Sequence, residues 1–376
     1  MPNNFRHQTY SDAEPIGRYE LLQPAFPAQR GTSEFVQIAE DFRKRIEGKV
    51  DEVYLIHGTF VGDDALGWTA QISKLFPNLG SQIAVVGKHL VDLISGESGN
   101  YTEEFRALLE TSIVDSGTVP PVRQFVWSSE NTHTGRCRAA IELLHKLMES
   151  QANGKRKFLF FCHSHAGNVL ALLTNLLAAD TAVRQGFIQI LRPLFNNEAD
   201  VNILSSVDSF LQTKPASKFE LNIVTFGTPI RYGWDPAGYN QLLHFVNHSP
   251  RGEHPNYVSP LEDLSLQALK SYEGDLVQQL GIASTNFFPF LLDKTLLAAE
   301  REMSQLLQSG IERKDVIKRI KIGMRVHESG SSLLVDYGAA HCSDQAGLAR
   351  LMVGHAIYTR MEWLAFHLAE IGRKIF

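Results

Sequence analysis

The chain of 376 residues contains only three cysteines, Cys137, Cys162 and Cys342. Such a sparse, odd set does not build the disulfide framework of a small secreted domain. Because Cys162 ends an apolar run, we expect it to be a small packed side chain. A thiol nucleophile at Cys162, paired with His163, is an alternative.

Long hydrophobic runs are also missing. No stretch reaches the roughly 18 consecutive apolar residues that a membrane-spanning helix needs. Residues 1–20 are polar and lack the apolar core of a secretory signal peptide. We therefore expect a cytoplasmic protein without a transmembrane segment, and export by a signal-independent route stays open.

Positive charge is not concentrated anywhere in the chain. The 36 Lys and Arg residues are outnumbered by 41 Asp and Glu residues, which gives a net charge of −5. The most basic stretch, residues 313–321, is short and is typical of a solvated helix face. This distribution argues against nucleic acid as a partner.

Short apolar runs alternate with helical patterns along most of the chain. We predict strands near Val53 and at residues 83–87, 124–127, 158–161, 221–226, 242–247, 324–327 and 332–337. We predict helices at residues 34–47, 135–150, 169–178 and 361–371. Such alternation indicates an α/β fold, with a mostly parallel central sheet and helices on both faces.

The predicted organisation is one large domain, residues 51–376, preceded by a lead-in and helix in residues 1–50. Two segments exceed what a sheet core needs, at about residues 181–218 and 284–320. Both have helical patterns. They are lid-like insertions over an active site or additional helices packed on the sheet, and the pattern favours neither.

The segment Lys157-Phe-Leu-Phe-Phe-Cys-His-Ser-His-Ala-Gly167 carries the strongest functional signal. It predicts a buried strand that enters a turn at Ser164 and continues into a helix. Small residues lie two positions either side of this serine, where strand and helix backbones crowd each other. The pattern is typical of a nucleophile elbow, and the alternative is a serine that only caps a helix.

Three further segments agree with a serine nucleophile. Val53-Tyr-Leu-Ile-His-Gly-Thr-Phe60 ends in a glycine turn that lets backbone N–H groups approach an oxyanion, with His57 as a structural residue. Leu221-Asn-Ile-Val-Thr-Phe-Gly-Thr-Pro229 predicts a neighbouring strand with an irregular end. Val353-Gly-His-Ala-Ile-Tyr-Thr-Arg360 places a histidine after the last strand and before a terminal helix.

As an ordered set, these segments resemble the lipase-like branch of the α/β-hydrolase superfamily, over residues 53–360. The resemblance implies that Ser164 is the nucleophile and His355 the general base. It also implies that main-chain N–H groups of Thr59 and His165 bind the oxyanion. The sequence departs from the common pattern at Cys162 and Ala166, where the superfamily has glycines.

The acid of the triad is less constrained by the sequence. Asp275 is the first candidate, because Gly274-Asp-Leu-Val277 resembles the acid loop of lipase-like hydrolases. The alternatives are Asp235, Glu253, Glu262 and Asp263. His341 is the alternative base, since it also follows the last strand.

The expected activity is hydrolysis of carboxylic esters, lipid-like ones in particular, through an acyl-enzyme and without a cofactor or metal. Transient contact with a lipid surface would fit such a substrate. A thioesterase or acyltransferase would use the same site, and a non-catalytic hydrolase-like binding module remains an alternative. His244 and His248 are four apart, but on a strand this spacing does not bring two metal ligands together.

Overall fold

A sheet of seven parallel strands forms the centre of the computed structural model. The structure describes residues 5–6, 14–24, 27–58, 101–113, 120–213, 215–250, 252–261, 274–282, 294–307, 313–338 and 354–376. The strands are β1 Arg18–Leu22, β2 Glu52–Ile56, β3 Val122–Phe125, β4 Lys157–His163, β5 Glu220–Phe226, β6 Gln241–Asn247 and β7 Ser331–Val335. Their order across the sheet is β1-β7-β6-β5-β4-β2-β3.

Helices cover both faces of this sheet, because consecutive parallel strands need crossover connections. Those described are α1 Ser33–Ile46, α2 Glu103–Ile113, α3 His133–Ala152, α4 Ala166–Ala178, α5 Thr181–Leu191, α6 Glu198–Leu211, α7 Leu276–Leu280, α8 Lys294–Leu306, α9 Arg313–Ile322 and α10 Leu364–Ile375. The predicted α/β fold with helices on both faces is confirmed. Helices α5 and α6 lie within residues 181–218, and α8 and most of α9 lie within residues 284–320.

The central strand β4 explains why its sequence is a continuous apolar run. Phe158 and Phe160 pack into a core with α3, α4, α5 and α6, whereas Leu159 and Phe161 pack into a second core with α1, α2 and α10. Successive side chains of a strand point to opposite faces, and here both faces are buried. The strand that precedes Ser164 is therefore fixed from both sides.

The predicted strands differ from the structure in two places. Residues 324–327 do not form a strand, and Met324 makes only an isolated antiparallel bridge with Val258. The main chain of this segment bonds to a loop and not to a strand of the sheet: the Arg325 N–H donates to the Tyr257 oxygen at 2.9 Å, and the Ser259 N–H donates to the Gly323 oxygen at 2.8 Å. The sequence also missed β1, whose side chains are largely exposed and show no buried apolar run. The predicted strand at residues 83–87 lies outside the described residues.

The carboxyl ends of the strands share one edge of the sheet. Ser164 follows β4 there, the loop of Gly227 follows β5, and the Asp275 segment pairs with the end of β6 through an N–H···O bond of 3.0 Å to Asn247. In open α/β sheets, ligands bind at this edge. The fold thus gathers the sequence motifs on its functional side.

Candidate active site

Ser164 occupies a strained turn between β4 and α4. Its φ of 56° lies in the left-handed region, which for a residue other than glycine costs about 1–3 kcal/mol. Two hydrogen bonds hold it there: its N–H donates to the oxygen of Phe226 at 2.8 Å, and its own oxygen accepts from the Thr228 hydroxyl at 2.7 Å. Ser164 thus occupies a strand-to-helix turn, where it is 2% exposed.

The backbones around Ser164 approach so closely that side chains are excluded. A Cβ atom on Gly58 would lie 2.5 Å from Ser164 Cβ and 3.1 Å from Ser164 Oγ. A Cβ atom on Gly167 would lie 2.1 Å from Thr228 Oγ1. Cys162 and Ala166 are both fully buried in the same crowded region. Small residues at these positions are therefore a packing requirement of the turn.

His355 and Asp275 form a buried pair. His355 Nδ1 lies 2.8 Å from Asp275 Oδ2, and the two residues are 5% and 0% exposed. The same carboxylate accepts the Tyr358 hydroxyl at 2.9 Å and the Gln278 N–H at 2.8 Å. Because a carboxylate only accepts, Nδ1 is the ring nitrogen that donates to Asp275. His355 lies in a short helical turn, residues 354–356.

The loop after β5 brings this pair to Ser164. The Ser164 N–H donates to the main-chain oxygen of Phe226. A Cβ atom on the next residue, Gly227, would lie 2.6 Å from Asp275 Oδ2 and 3.1 Å from His355 Cε1. Gly227 has a φ of +59°, which glycine adopts without strain. The rings of His163 and His355 are 4.7 Å apart. The structure therefore brings Ser164, His355 and Asp275 to one place.

His355 Nε2, the nitrogen that would receive a proton, is buried and makes no hydrogen bond in the described part of the chain. Ser164 Oγ is therefore not hydrogen-bonded to His355 Nε2 in this structure.

The candidate oxyanion donors are partly described. The His165 N–H belongs to the first turn of α4, where main-chain N–H groups have no partner within the helix. Thr59 lies outside the described residues. Gly58, which precedes it, contacts the Ser164 side chain, and His57 Nδ1 lies 2.8 Å from the Gly58 oxygen. The backbone that follows β2 therefore reaches the Ser164 side chain.

The alternative residues have other partners or positions. Asp235 caps a short 3-10 turn by accepting the Ala237 N–H at 2.9 Å, and Glu253 is exposed. Glu262, Asp263 and His341 lie outside the described residues. Burial raises the pKa of the Cys162 thiol well above its usual value, so the thiolate is disfavoured. Among the described carboxylates, Asp275 is the one that contacts His355.

The histidines considered for a metal bind protein groups instead. His244 Nδ1 lies 2.6 Å from Thr225 Oγ1, and its Nε2 lies 3.0 Å from the Ser329 oxygen. His248 Nε2 lies 2.8 Å from the Asn256 oxygen. Over the ranges that the structure describes, no group of three or more His, Cys, Asp or Glu side chains is placed to hold a metal ion.

Sequence reasoning missed the residues that support Asp275. Burial and the Asp275 charge raise the pKa of Tyr358 well above its usual value, so Tyr358 remains a donor. Arg325 is fully buried and donates to both the Asp275 main-chain oxygen at 2.8 Å and Gln278 Oε1 at 2.5 Å. The only sequence signal was the position of Tyr358 three residues after His355, one helical turn away.

Comparison of the chain with protein-family models, with curated proteins and with solved structures finds no match. The interpretation of this site therefore rests on its own geometry. Among the helices that the structure describes, none has the length and apolar character to cross a membrane.

Proposed function

We propose that the protein is a serine hydrolase with an α/β-hydrolase fold that cleaves carboxylic esters through an acyl-enzyme. The observation that carries the proposal is the strained turn at Ser164 next to the buried pair of His355 and Asp275. The chain order of serine, acid and histidine is that of α/β-hydrolases. The strand order differs from the usual one of that fold, so the proposal depends on the geometry of the site and not on the sheet.

In this mechanism, Ser164 Oγ attacks the ester carbonyl while His355 Nε2 accepts its proton. Asp275 holds the ring by its Nδ1–H and stabilises the imidazolium that forms. Main-chain N–H groups of His165 and Thr59 hold the oxyanion, each worth about 3 kcal/mol in the transition state. His355 then returns the proton to the alcohol and activates water for deacylation.

Lipid-like esters are the proposed substrates, with the regions 181–218 and 284–320 as the candidate lid insertions. Of these regions, helices α5 and α8 pack Phe187, Ile188 and Met303 into the core beside β4. A thioesterase or acyltransferase would use the same three residues with another acceptor. A non-catalytic module would retain the fold without turnover.

A fluorophosphonate probe tests the proposal, because it reacts only with an activated serine. We expect labelling of the unmodified protein, none in Ser164→Ala, and unchanged labelling in the matched variant Cys162→Ala. Hydrolysis of 4-nitrophenyl esters of rising acyl length should be lost in Ser164→Ala by about 10⁴-fold or more. Absence of labelling and of turnover in the unmodified protein would favour the binding module. Labelling that survives Ser164→Ala would refute the nucleophile.

A further inference from the structure

The side chain of His165 has a fixed tautomer. Its Nδ1 lies 3.1 Å from Asn168 Nδ2, and the same amide nitrogen donates to the Pro229 oxygen at 3.2 Å. An amide NH₂ group only donates, so Nδ1 must accept and carries no proton. The reversed amide would place two oxygens together at Pro229, which excludes it. The proton of the His165 ring therefore lies on Nε2.

The ring is also neutral. His165 is 2% exposed, and burial lowers its pKa well below the usual value; the guanidinium charges of Arg136 and Arg231 lower it further. A neutral imidazole with Nδ1 as acceptor is a single hydrogen-bond donor, through Nε2–H.

That donor has no acceptor. Nε2 is buried and makes no hydrogen bond in the structure as described. A buried N–H without a partner costs free energy, and such groups in native proteins call for a specific explanation. Gly281 borders the atom: a Cβ there would lie 3.3 Å from Nε2, so a larger residue would press on the ring.

The surroundings of Nε2 carry positive charge. Ile282, next to Gly281, accepts the Arg231 guanidinium through its main-chain oxygen at 3.0 Å. Arg231 also lies 3.3 Å from His133 Nε2, and Arg136 Nε donates to the Tyr232 hydroxyl at 3.1 Å. The buried carboxylate of Glu300 accepts the N–H groups of His133 and Thr134 in the same cluster, yet both guanidinium charges still act on the His165 ring and lower its pKa. This positive potential at the ring favours an anionic acceptor.

We propose that His165 is a substrate-binding residue, whose Nε2–H donates to a carboxylate or phosphate oxygen that the ester carries in addition to its scissile group. The proposal deepens the serine hydrolase proposed above and rests on it. It makes the substrate an anionic ester, and it gives the residue after the nucleophile a side-chain role separate from its main-chain N–H.

Binding can be measured without turnover in the Ser164→Ala background. Monomethyl succinate and methyl pentanoate are matched in length and differ in the terminal carboxylate. With ¹⁵N-labelled histidine, we expect NMR to show one protonated nitrogen on His165, at Nε2. Monomethyl succinate should shift that resonance and methyl pentanoate should not. A resonance that moves with neither ligand, or equally with both, would overturn the proposal.

Substitutions at His165 supply the second test. In His165→Gln, the side-chain amide nitrogen can occupy the position of the imidazole Nε2. In His165→Asn, the shorter side chain brings its amide only to the position of Nδ1. We expect kcat/KM for 4-nitrophenyl hemisuccinate to exceed that for 4-nitrophenyl pentanoate by about tenfold, as one charge-assisted hydrogen bond allows. His165→Gln should keep this ratio and His165→Asn should lose it.

The ratio of the two kcat/KM values distinguishes a loss of substrate binding from a loss of folded protein, because a folding defect lowers both activities by the same factor. An unchanged ratio in His165→Asn would refute the role of the imidazole. Failure of the proposed function is a different result: no ester is turned over and no probe labels Ser164, while the NMR titration of Ser164→Ala still decides whether His165 binds a carboxylate.

Discussion

Two glycines determine how closely the chain segments of the candidate site approach one another. Gly58 contacts Ser164, and Gly227 contacts both His355 and Asp275. In each case the backbone occupies the space that a methyl group would take. The position of the serine hydroxyl therefore depends on chain segments that contribute no functional group of their own.

Substitution of Gly58 tests this dependence. The methyl group of Gly58→Ala would lie 2.5 Å from Ser164 Cβ, so the turn must shift. A displacement of about 1 Å can lower activity by about 100-fold, and we expect such a loss of kcat/KM. The measurement is ester hydrolysis alongside Gly252→Ala, where the new methyl group has open space. Equal activities of the two variants would contradict the described contact.

At this scale, local patterns indicated the three residues of the candidate site but not the residues that support them. Ser164 and His355 stand in segments whose spacing is informative in itself, and the pattern Gly274-Asp-Leu-Val277 pointed to Asp275. Tyr358 and Arg325 support the carboxylate through contacts that exist only after folding. Thr59 was predicted from the same strand-end pattern and stays a prediction.

Among the elements, α8 is connected to the start of α3 by one buried carboxylate. Glu300 accepts the Thr134 N–H at 2.6 Å, the Thr134 hydroxyl at 2.7 Å and the His133 N–H at 3.1 Å. These N–H groups have no partner within their helix, and negative charge is favoured at a helix N-terminus. Helix α8, from the 284–320 region, thereby helps to fix α3, which packs on the core beside β4.

Removal of this carboxylate should destabilise the protein. Glu300→Ala leaves two buried N–H groups without acceptors, and we expect the free energy of unfolding to fall by about 1–3 kcal/mol. Denaturant titration measures the change. The matched variant Glu302→Ala, on the exposed side of the same helix, should stay within about 0.5 kcal/mol of the unmodified protein. A similar loss in both variants would argue against the cap.

The elements that were predicted best are the most buried. Strands β4, β5 and β6 have continuous apolar runs because both of their faces are covered. The edge strand β1 has no such run, since it is mostly exposed and is defined by its pairing with β7. Residues 324–327 were predicted as a strand, but the main chain at Gly323 and Arg325 bonds to the loop of residues 257–261. Local pattern cannot reveal either outcome.

For the whole molecule, buried neutral histidines make stability depend on pH. Burial lowers the pKa of His327 and of His367 to about 3. It lowers that of His248 to about 4, and those of His133 and His244 also fall well below the usual value. The unfolded chain binds protons with ordinary histidine pKa values of about 6.5. Between the two values, only the unfolded state is protonated.

The free energy of unfolding should therefore be highest above pH 7 and should decrease as the pH falls below 6.5. From pH 7 to pH 5, His327 and His367 should each remove about 2 kcal/mol. Denaturant titrations at pH 7, 6 and 5 check this. In His367→Gln, the difference between pH 7 and pH 5 should shrink by about one such contribution. A free energy of unfolding that is constant over this range would contradict the described burial.

The pairing of β1 with β7 has a consequence for synthesis of the chain. The partner of Arg18–Leu22, Ser331–Val335, leaves the ribosome about 310 residues later, and domains fold as their segments emerge. Strand β1 therefore stays unpaired until β7 has been synthesised. During that interval its unpaired backbone is a target for chaperones and for pairing with other nascent chains.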